Sequence, residues 1–212
     1  MLFRSRRAAT YKRADLLFSN LKRFLEVAGN RKVQFIFAGK SHPSDNGGKA
    51  LLQKIRKAAR DLEESIPIVF IDNYNMEIAS LITQGVDLWL NTPMRPREAS
   101  GTSGMKCALN GIMNFSVLDG WWIEGWIEDV TGWSIGPEPN GGDLSDHYDE
   151  SLDAIDLYEK LEKKIIPTYY ENHDKWLDMM RHTIALNASF FNTHRVVREY
   201  ASKAYSIDFR GM

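Results

Sequence analysis

Short runs of apolar residues alternate with amphipathic segments along the first 120 residues of the chain. Each run is apolar almost throughout, which is typical of parallel strands buried on both faces of a sheet. The runs predict strands at residues 33–38, 66–71, 86–90 and 112–118, after a short strand-like stretch near residue 1. Apolar positions at helical spacing predict helices at residues 11–28, 49–64 and 76–83, and from the end of a loop at 98–104 to about 110.

This alternation predicts an α/β fold, a doubly wound, Rossmann-like parallel sheet with helices on both faces. Ligands of such sheets bind at the carboxyl ends of the strands. Three polar segments follow predicted strands and fall at this edge: Gly39-Lys40, Asn73-Tyr74 and the loop at residues 98–102. The sequence therefore predicts a binding site formed by these loops.

After Gly120 the pattern changes. Residues 121–150 are rich in Trp, Gly and Pro and predict an irregular segment, whose tryptophans we interpret as packing residues. Helices are expected at residues 152–165, 173–185 and 193–205. The expected organisation is one domain over residues 1–212, with an α/β core at 1–120 and a helical part at 151–212.

Composition excludes several classes of protein. With 43% hydrophobic and 26% charged residues the chain has the composition of a globular protein, and its net charge of −1 gives no overall attraction to nucleic acid. Cys107 is its one cysteine, which fits a reducing compartment and indicates a buried small residue, not a nucleophile. No apolar run approaches the ~20 residues that span a bilayer. We therefore expect a cytoplasmic protein without membrane or nucleic-acid partners.

The loop from Glu98 to Lys106 carries the most chemistry. Small residues with available backbone N–H groups, and the hydroxyls of Thr102 and Ser103, precede an apolar segment in which Lys106 lies about one helical turn inside. Helix N-termini attract phosphate, and glycines allow a ligand to approach the main chain. Taken alone, the loop also fits a tight turn without a ligand.

A basic cluster follows the first predicted strand. Arg6, Arg7, Lys12 and Arg13 would lie at the ligand-binding edge, which favours an anion site over a solvated or nucleic-acid-facing patch. The five histidines are too scattered to indicate a metal site.

The run from Glu98 to Lys106 resembles the cofactor-lysine signature of the α-glucan (glycogen, starch, maltodextrin) phosphorylases. Other segments match motifs of this family in the same order and at the same spacing along the chain, and they extend the resemblance from Arg6 to about Tyr205. These are Arg6–Arg13, Phe70-Ile71-Asp72-Asn73-Tyr74, Leu109-Asn110-Gly111, and Leu118-Asp119-Gly120 followed by Glu124. Ser103-Gly104 and Trp121-Trp122 look more like the short bacterial and archaeal branch of the family.

The resemblance implies the C-terminal half of a glycosyltransferase-B fold. The family's N-terminal glucan-binding domain supplies the opposite wall of its cleft, and we expect that domain to be absent from this chain. Where many relatives have Lys-Arg at the start of the basic segment, this chain has Arg6-Arg7, which keeps the charge but changes the hydrogen-bond geometry.

The resemblance also implies a reaction, that of a glycogen or α-glucan phosphorylase. Pyridoxal 5′-phosphate would be held as a Schiff base on Lys106, and its phosphate would exchange a proton with inorganic phosphate. An α-glucan and inorganic phosphate would then give glucose 1-phosphate.

The family's site residues carry over by position. Arg7 and Lys12 would bind substrate phosphate, and together with Lys106 they are the implied catalytic residues. Glu98, Ser100 and Gly101 would bind the glucosyl group. The residues implied at the cofactor are Lys106, Gly101, Thr102, Ser103, Arg6 and Tyr74.

Two alternatives remain open. One is a truncated, non-catalytic fragment that binds the cofactor or nothing. The other is a sugar-nucleotide-dependent glycosyltransferase similar to glycogen synthase, which would need no lysine at position 106. Exposed apolar residues on the last helix would favour self-association, so a homo-oligomer is a further expectation.

Overall fold

The computed structural model describes residues 2–5, 9–29, 33–138, 149 and 151–205. Its six strands form one parallel sheet in the order β3-β2-β1-β4-β5-β6. The strands are β1 (Leu2–Ser5), β2 (Phe35–Ala38), β3 (Ile68–Ile71), β4 (Leu88–Asn91), β5 (Met113–Val117) and β6 (Gly132–Ile135). This is the strand order of a doubly wound Rossmann sheet, and it confirms the predicted fold class.

Helices connect the strands and complete the chain. They are α1 (Leu21–Ala28), α2 (Asn46–Asp61), α3 (Met76–Gly85), α4 (Thr102–Ala108), α5 (Trp122–Gly125), α6 (Ser151–Lys160), α7 (Ile166–Glu171), α8 (His173–His182) and α9 (Thr193–Glu199). Single π-helical segments extend α6, α8 and α9, at Leu161–Ile165, Thr183–Ala188 and Tyr200–Ala204. None of the helices in the described ranges is long and apolar enough to cross a membrane.

The helix predicted at residues 11–28 is shorter than its apolar pattern indicated. Two 3₁₀ turns, Thr10–Lys12 and Leu16–Phe18, occupy its first half, and α1 begins after Asn20. Arg13 has a left-handed backbone (φ 43°), which stops helical propagation, and the Asn20 side chain accepts a hydrogen bond from the Arg23 N–H as an N-cap.

The segment predicted to be irregular contains α5 and the edge strand β6. In β6 Trp133 pairs with Phe115 of β5 and is fully buried. Gly132 has φ 151°, and a β-carbon there would collide with the Asn114 carbonyl oxygen, so the strand needs glycine at this position. The interpretation of the tryptophans as packing residues is confirmed: all are buried except Trp126, which is half-buried.

Apolar clusters cover both faces of the sheet. On one face, α1, α2 and the C-terminal helices pack against the strands around Phe24, Phe115 and Trp176. On the other face, Cys107 of α4 packs with Trp89, and the half-buried Tyr74 contacts the same cluster. Burial raises the pKa of the Cys107 thiol above its ordinary value, in agreement with a packing role.

A polar clamp made by Glu128, Asp129, Lys160 and Lys164 joins the loop before β6 to the C-terminal helices. Glu128 accepts hydrogen bonds from the Ser134 N–H (3.0 Å), the Trp126 indole (2.9 Å) and Lys164 (2.9 Å). Lys164 also contacts Asp129 (3.2 Å), and Lys160 lies 3.5 Å from Glu128. Burial alone would raise the pKa of Glu128, but these donors outweigh it and hold the pKa below its ordinary value.

Candidate functional site

The site lies between β1 and β4, where the strand order changes direction: the chain adds β2 and β3 on one side of β1, and then β4, β5 and β6 on the other side. The strands β1 and β4 are neighbours, and the segments that follow them meet at their carboxyl ends. The Met94 N–H donates to the Tyr11 carbonyl (2.7 Å), and the Thr92 hydroxyl donates to the carbonyls of Lys12 (3.1 Å) and Arg13 (3.0 Å). Hydrogen bonds from the Met94 N–H and the Thr92 hydroxyl therefore fix residues 9–13 against the loop after β4, and we call the place where these two segments meet the crevice.

Lys12 and Glu98 form an ion pair in this crevice. The two residues are only 6% and 5% exposed, and the Lys12 ammonium also lies 4.7 Å from the centroid of the Tyr11 ring. The resemblance implied Lys12 at phosphate and Glu98 at sugar, but nothing in the sequence indicated that the two contact each other. A lysine ammonium has three N–H donors, so one contact to Glu98 leaves donors that an anion can accept from.

The loop that follows β5 supports Glu98 from the other side. The Asp119 carboxylate accepts from the N–H groups of Glu98 (2.8 Å) and Gly120 (2.8 Å), while the Trp121 N–H donates to the Ser100 carbonyl (2.8 Å). Burial raises the pKa of Asp119 above its ordinary value, although both N–H donors oppose the shift.

Gly120 is required by this arrangement. Its φ is 57°, and a β-carbon there would lie 2.5 Å from the Ser100 carbonyl oxygen and 2.6 Å from that of Glu98. The loops after β4 and β5 therefore touch through their main chains, and this contact fixes the position of Glu98.

The glycines of the loop lie against side chains from later in the chain. Gly101 (φ 89°) precedes α4, and a β-carbon on it would lie 3.0 Å from the Trp121 ring. A β-carbon on Gly104 would collide with the side chains of Asn114 and Trp121. Side chains of the protein therefore occupy the place that a β-carbon would take at both glycines, which is why the loop needs glycine there. The approach of a ligand to the main chain of this loop stays a prediction.

Lys106 lies in the last turn of α4, a helix of seven residues that begins at Thr102. Lys106 and Thr102 are exposed and Ser103 is half-buried. Among the described residues, the Lys106 ammonium has no ion pair or side-chain hydrogen bond, and the neighbouring Cys107 anchors the helix in the core. An exposed amine on an anchored helix can form a covalent bond with an aldehyde.

The other predicted site residues have separate positions. Tyr74 follows β3 and lies, half-buried, against the cluster that contains Cys107. Ser100 is exposed beside the buried Glu98. Arg6 and Arg7, predicted at the two phosphates, lie outside the residues that the structure describes.

A second charged pair, between Arg13 and Asp153, was not predicted from the sequence. Arg13 was included only in the basic cluster, and no motif indicated Asp153, which is fully buried at the start of α6. The guanidinium donates to the carbonyls of Thr92 (3.1 Å) and Pro93 (2.8 Å) and to Asp153. Burial raises the pKa of the Asp153 carboxyl to about 6, against the opposing attraction of Arg13.

Comparison with known proteins gives one consistent result. The family model described as carbohydrate phosphorylase matches residues 3–132. The chain is 47% identical to a maltodextrin phosphorylase of Thermococcus litoralis over 95% of its length, which is 24% of that relative. Glycogen phosphorylases of Aquifex aeolicus and Mycobacterium tuberculosis are 40% and 41% identical over 95% of this chain and 29% and 24% of their own lengths. The chain thus spans less than a third of the length of these relatives.

Proposed function

The chain belongs to the carbohydrate phosphorylase family, and on that premise we propose that it is the cofactor- and phosphate-binding part of an α-1,4-glucan phosphorylase. The reaction is transfer of a glucosyl group from an α-glucan to inorganic phosphate, which gives glucose 1-phosphate. The observation that carries the proposal is the meeting of Lys12 and Glu98 at the carboxyl ends of β1 and β4. It brings a residue proposed to bind phosphate into contact with one proposed to bind sugar.

Lys106 is the proposed attachment point of pyridoxal 5′-phosphate. Its exposed amine fits a carbonyl partner, and Tyr74 is a suitable lining residue because it packs against the same cluster as α4. When bound, the cofactor supplies a phosphate group that can exchange protons with inorganic phosphate. Thr102 and Ser103 in the first turn of α4, together with Gly101 before it and Arg6, hold that phosphate.

Lys12 and Arg7 bind inorganic phosphate in this proposal. Two phosphates held in one crevice repel each other, so the site needs cations beside both of them. Lys12 reaches the crevice from the 3₁₀ turn after β1 and is almost excluded from water, which strengthens its attraction for an anion.

Glu98, Ser100 and Gly101 bind hydroxyls of the glucosyl group. The Asp119 carboxylate fixes the Glu98 main chain, and the Trp121 N–H fixes that of Ser100. Because Glu98 also contacts Lys12, sugar and phosphate would bind on two sides of one ion pair. That arrangement would hold the two reactants side by side, which is how a positioned site lowers a reaction barrier.

A second candidate is cofactor binding without turnover, which the exposed Lys106 amine supports by itself. A sugar-nucleotide-dependent transferase is less well supported because it gives no role to Lys106.

The cofactor assignment is tested by incubation with pyridoxal 5′-phosphate, borohydride reduction and peptide mapping. We expect the pyridoxyl group on Lys106. Lys106→Arg keeps the charge but cannot be labelled, and Lys40, exposed after β2, is an internal control for nonspecific reaction. Equal labelling of Lys40 and Lys106, or no labelling at all, would disprove the assignment.

A further inference from the structure

The buried Arg13 fork joins two distant parts of the chain. Arg13 is 9% exposed and Asp153 is completely buried, and the two residues are separated by 140 positions. The guanidinium binds the carbonyls of Thr92 and Pro93 as well as the carboxylate, so it connects the end of β4 with α6. The other Asp153 oxygen, Oδ1, is buried without a hydrogen-bond partner in the described part of the chain. The hydrogen bonds found for the carboxylate are therefore made to Arg13.

Stability alone is a weak reason for this pair. Two charges lose much hydration energy on burial, and apolar residues of similar volume often stabilise a fold as well or better. An unpartnered carboxylate oxygen makes this disadvantage larger. A local geometric effect of the pair is a better explanation.

The geometric effect is on the residue before Arg13. Arg13 has φ 43° and ψ 48°, a left-handed conformation that is unfavourable for a residue with a branched or long side chain. The Asp153 contact holds its side chain, and the Thr92 hydroxyl holds its carbonyl and that of Lys12. Because the Thr92 hydroxyl binds the carbonyls of both residues, it ties the backbone of Arg13 to that of Lys12, whose side chain contacts Glu98.

We propose that Asp153 is a positioning residue that acts through Arg13 to hold Lys12 in the anion site. This inference rests on the proposed function, because it takes Lys12 to bind phosphate. Asp153 itself touches neither phosphate nor sugar. The C-terminal helical part of the domain thereby contributes to the site without lining it.

Electrostatics and positioning predict opposite results when the carboxylate is removed. A negative charge near an anion site weakens binding, so Asp153→Asn should strengthen sulfate binding if only charge matters. If Asp153 positions Lys12, the same variant should weaken sulfate binding by about tenfold, the order of one charge-assisted hydrogen bond. Sulfate is the suitable probe because, unlike phosphate, it does not titrate near neutral pH.

The experiment measures sulfate dissociation constants by NMR titration for the wild-type chain, Asp153→Asn, Lys12→Ala and the double variant. Asp156→Asn is the matched control, since it removes the same charge from α6 at a residue that contacts Lys160 and the Gly136 N–H. We expect weaker binding in Asp153→Asn and in Lys12→Ala but not in Asp156→Asn. Adding Asp153→Asn to Lys12→Ala should cause no further loss, since the effect passes through Lys12.

Other outcomes separate the two proposals. Unchanged or stronger binding in Asp153→Asn, with weaker binding in Lys12→Ala, overturns the positioning role and leaves the anion site intact. Unchanged binding in Lys12→Ala overturns the phosphate assignment and the positioning role with it. If Asp153→Asn does not fold, Arg13→Lys replaces it, because lysine keeps the charge but cannot reproduce the fork, and the same outcomes apply.

Discussion

At the scale of single residues, the crevice is built from charges that are buried in pairs. Lys12 contacts Glu98, Arg13 contacts Asp153, and the Asp119 carboxylate is bound by two N–H groups. The two members of each ion pair come from different segments: Lys12 and Arg13 precede α1, Glu98 follows β4, and Asp153 lies in the first turn of α6. At Gly120 there is no room for a side chain, because the carbonyl oxygens of Ser100 and Glu98 lie too close to where a β-carbon would be.

Gly120→Ala should destabilise the protein by about 2–4 kcal/mol. Alanine is strained at a φ of 57°, and its β-carbon would meet two carbonyl oxygens that cannot move without displacing Glu98. Urea unfolding measures the effect. The control is Gly85→Ala at the end of α3, where a β-carbon has no neighbour within 4 Å and the change should be neutral or stabilising by up to about 1 kcal/mol. Similar stabilities for the two variants would contradict the close contact of the loops.

At the scale of secondary-structure elements, the sheet has two kinds of support. The carboxyl ends of its strands are joined by the crevice loops, while the polar clamp ties the loop before β6 to α6 and the π segment after it. The clamp should stabilise the fold more than an exposed ion pair does, because the Glu128 carboxylate is partly shielded from water and bound by several donors.

Glu128→Gln should lower stability by about 1–3 kcal/mol at pH 7 and remove part of the acid sensitivity. The pKa of Glu128 is below its ordinary value of 4.5, so the folded chain binds fewer protons than the unfolded chain. The stabilisation by Glu128 is therefore present above about pH 4.5 and is lost as the pH falls through the folded-state pKa.

Thermal or urea unfolding from pH 3 to pH 7 tests this clamp. Glu159→Gln is the control, because Glu159 pairs with Lys163 on an exposed helix face and should change stability by less than about 0.5 kcal/mol. An identical slope of stability against pH in Glu128→Gln and in the wild-type chain would show that the clamp contributes nothing.

Sequence patterns predicted the elements whose apolar pattern agrees with their burial in the fold. The apolar runs placed four strands within two residues of their observed bounds, because central strands are buried on both faces. The pattern failed for β6, whose Gly-Trp-Ser-Ile sequence gains its burial from pairing with β5. It failed again before α1, where the left-handed Arg13 breaks an otherwise helical pattern.

The site was predictable only in part for the same reason. Motif positions placed Lys12, Glu98 and Lys106 near one edge of the sheet, and the crevice brings the first two together. The Arg13–Asp153 contact joins residues 140 positions apart, and neither local spacing nor composition contains that information. The packing of Gly101 and Gly104 against Trp121 and Asn114 was not predictable from local sequence, because these two side chains come from later in the chain.

At the scale of the whole molecule, two groups of exposed side chains in the described ranges bear on function. Ser100, Thr102 and Lys106 are exposed on the loop after β4 and on α4, and the last helices carry exposed apolar side chains. The expectation of exposed apolar residues on the last helix is confirmed, since Val197 and Tyr200 are 59% and 61% exposed. Exposed apolar side chains of this kind favour association with another surface.

The 212-residue chain alone should release no glucose 1-phosphate from maltodextrin and phosphate. The resemblance to phosphorylases implies that a second domain forms the opposite wall of the cleft, so these 212 residues tested alone would not hold the reactants together. A coupled assay for glucose 1-phosphate measures this. The matched control is a full-length family member under the same conditions, and turnover by the chain at ~1 per second or faster would contradict the expectation.

The central position of β1 also determines the order in which the chain can fold. Leu2 pairs with Phe35 on one side and with Leu88 on the other, so β1 is the seam between β3-β2 and β4-β5-β6. Pairing of β1 with β2 closes a short loop. Pairing of β1 with β4 closes a much longer one, because β4 lies far along the chain. Until β4 arrives, one side of β1 is an unpaired strand edge that another chain could occupy. Docking of β4 on β1 is therefore the step that we expect to limit the folding rate and to compete with aggregation.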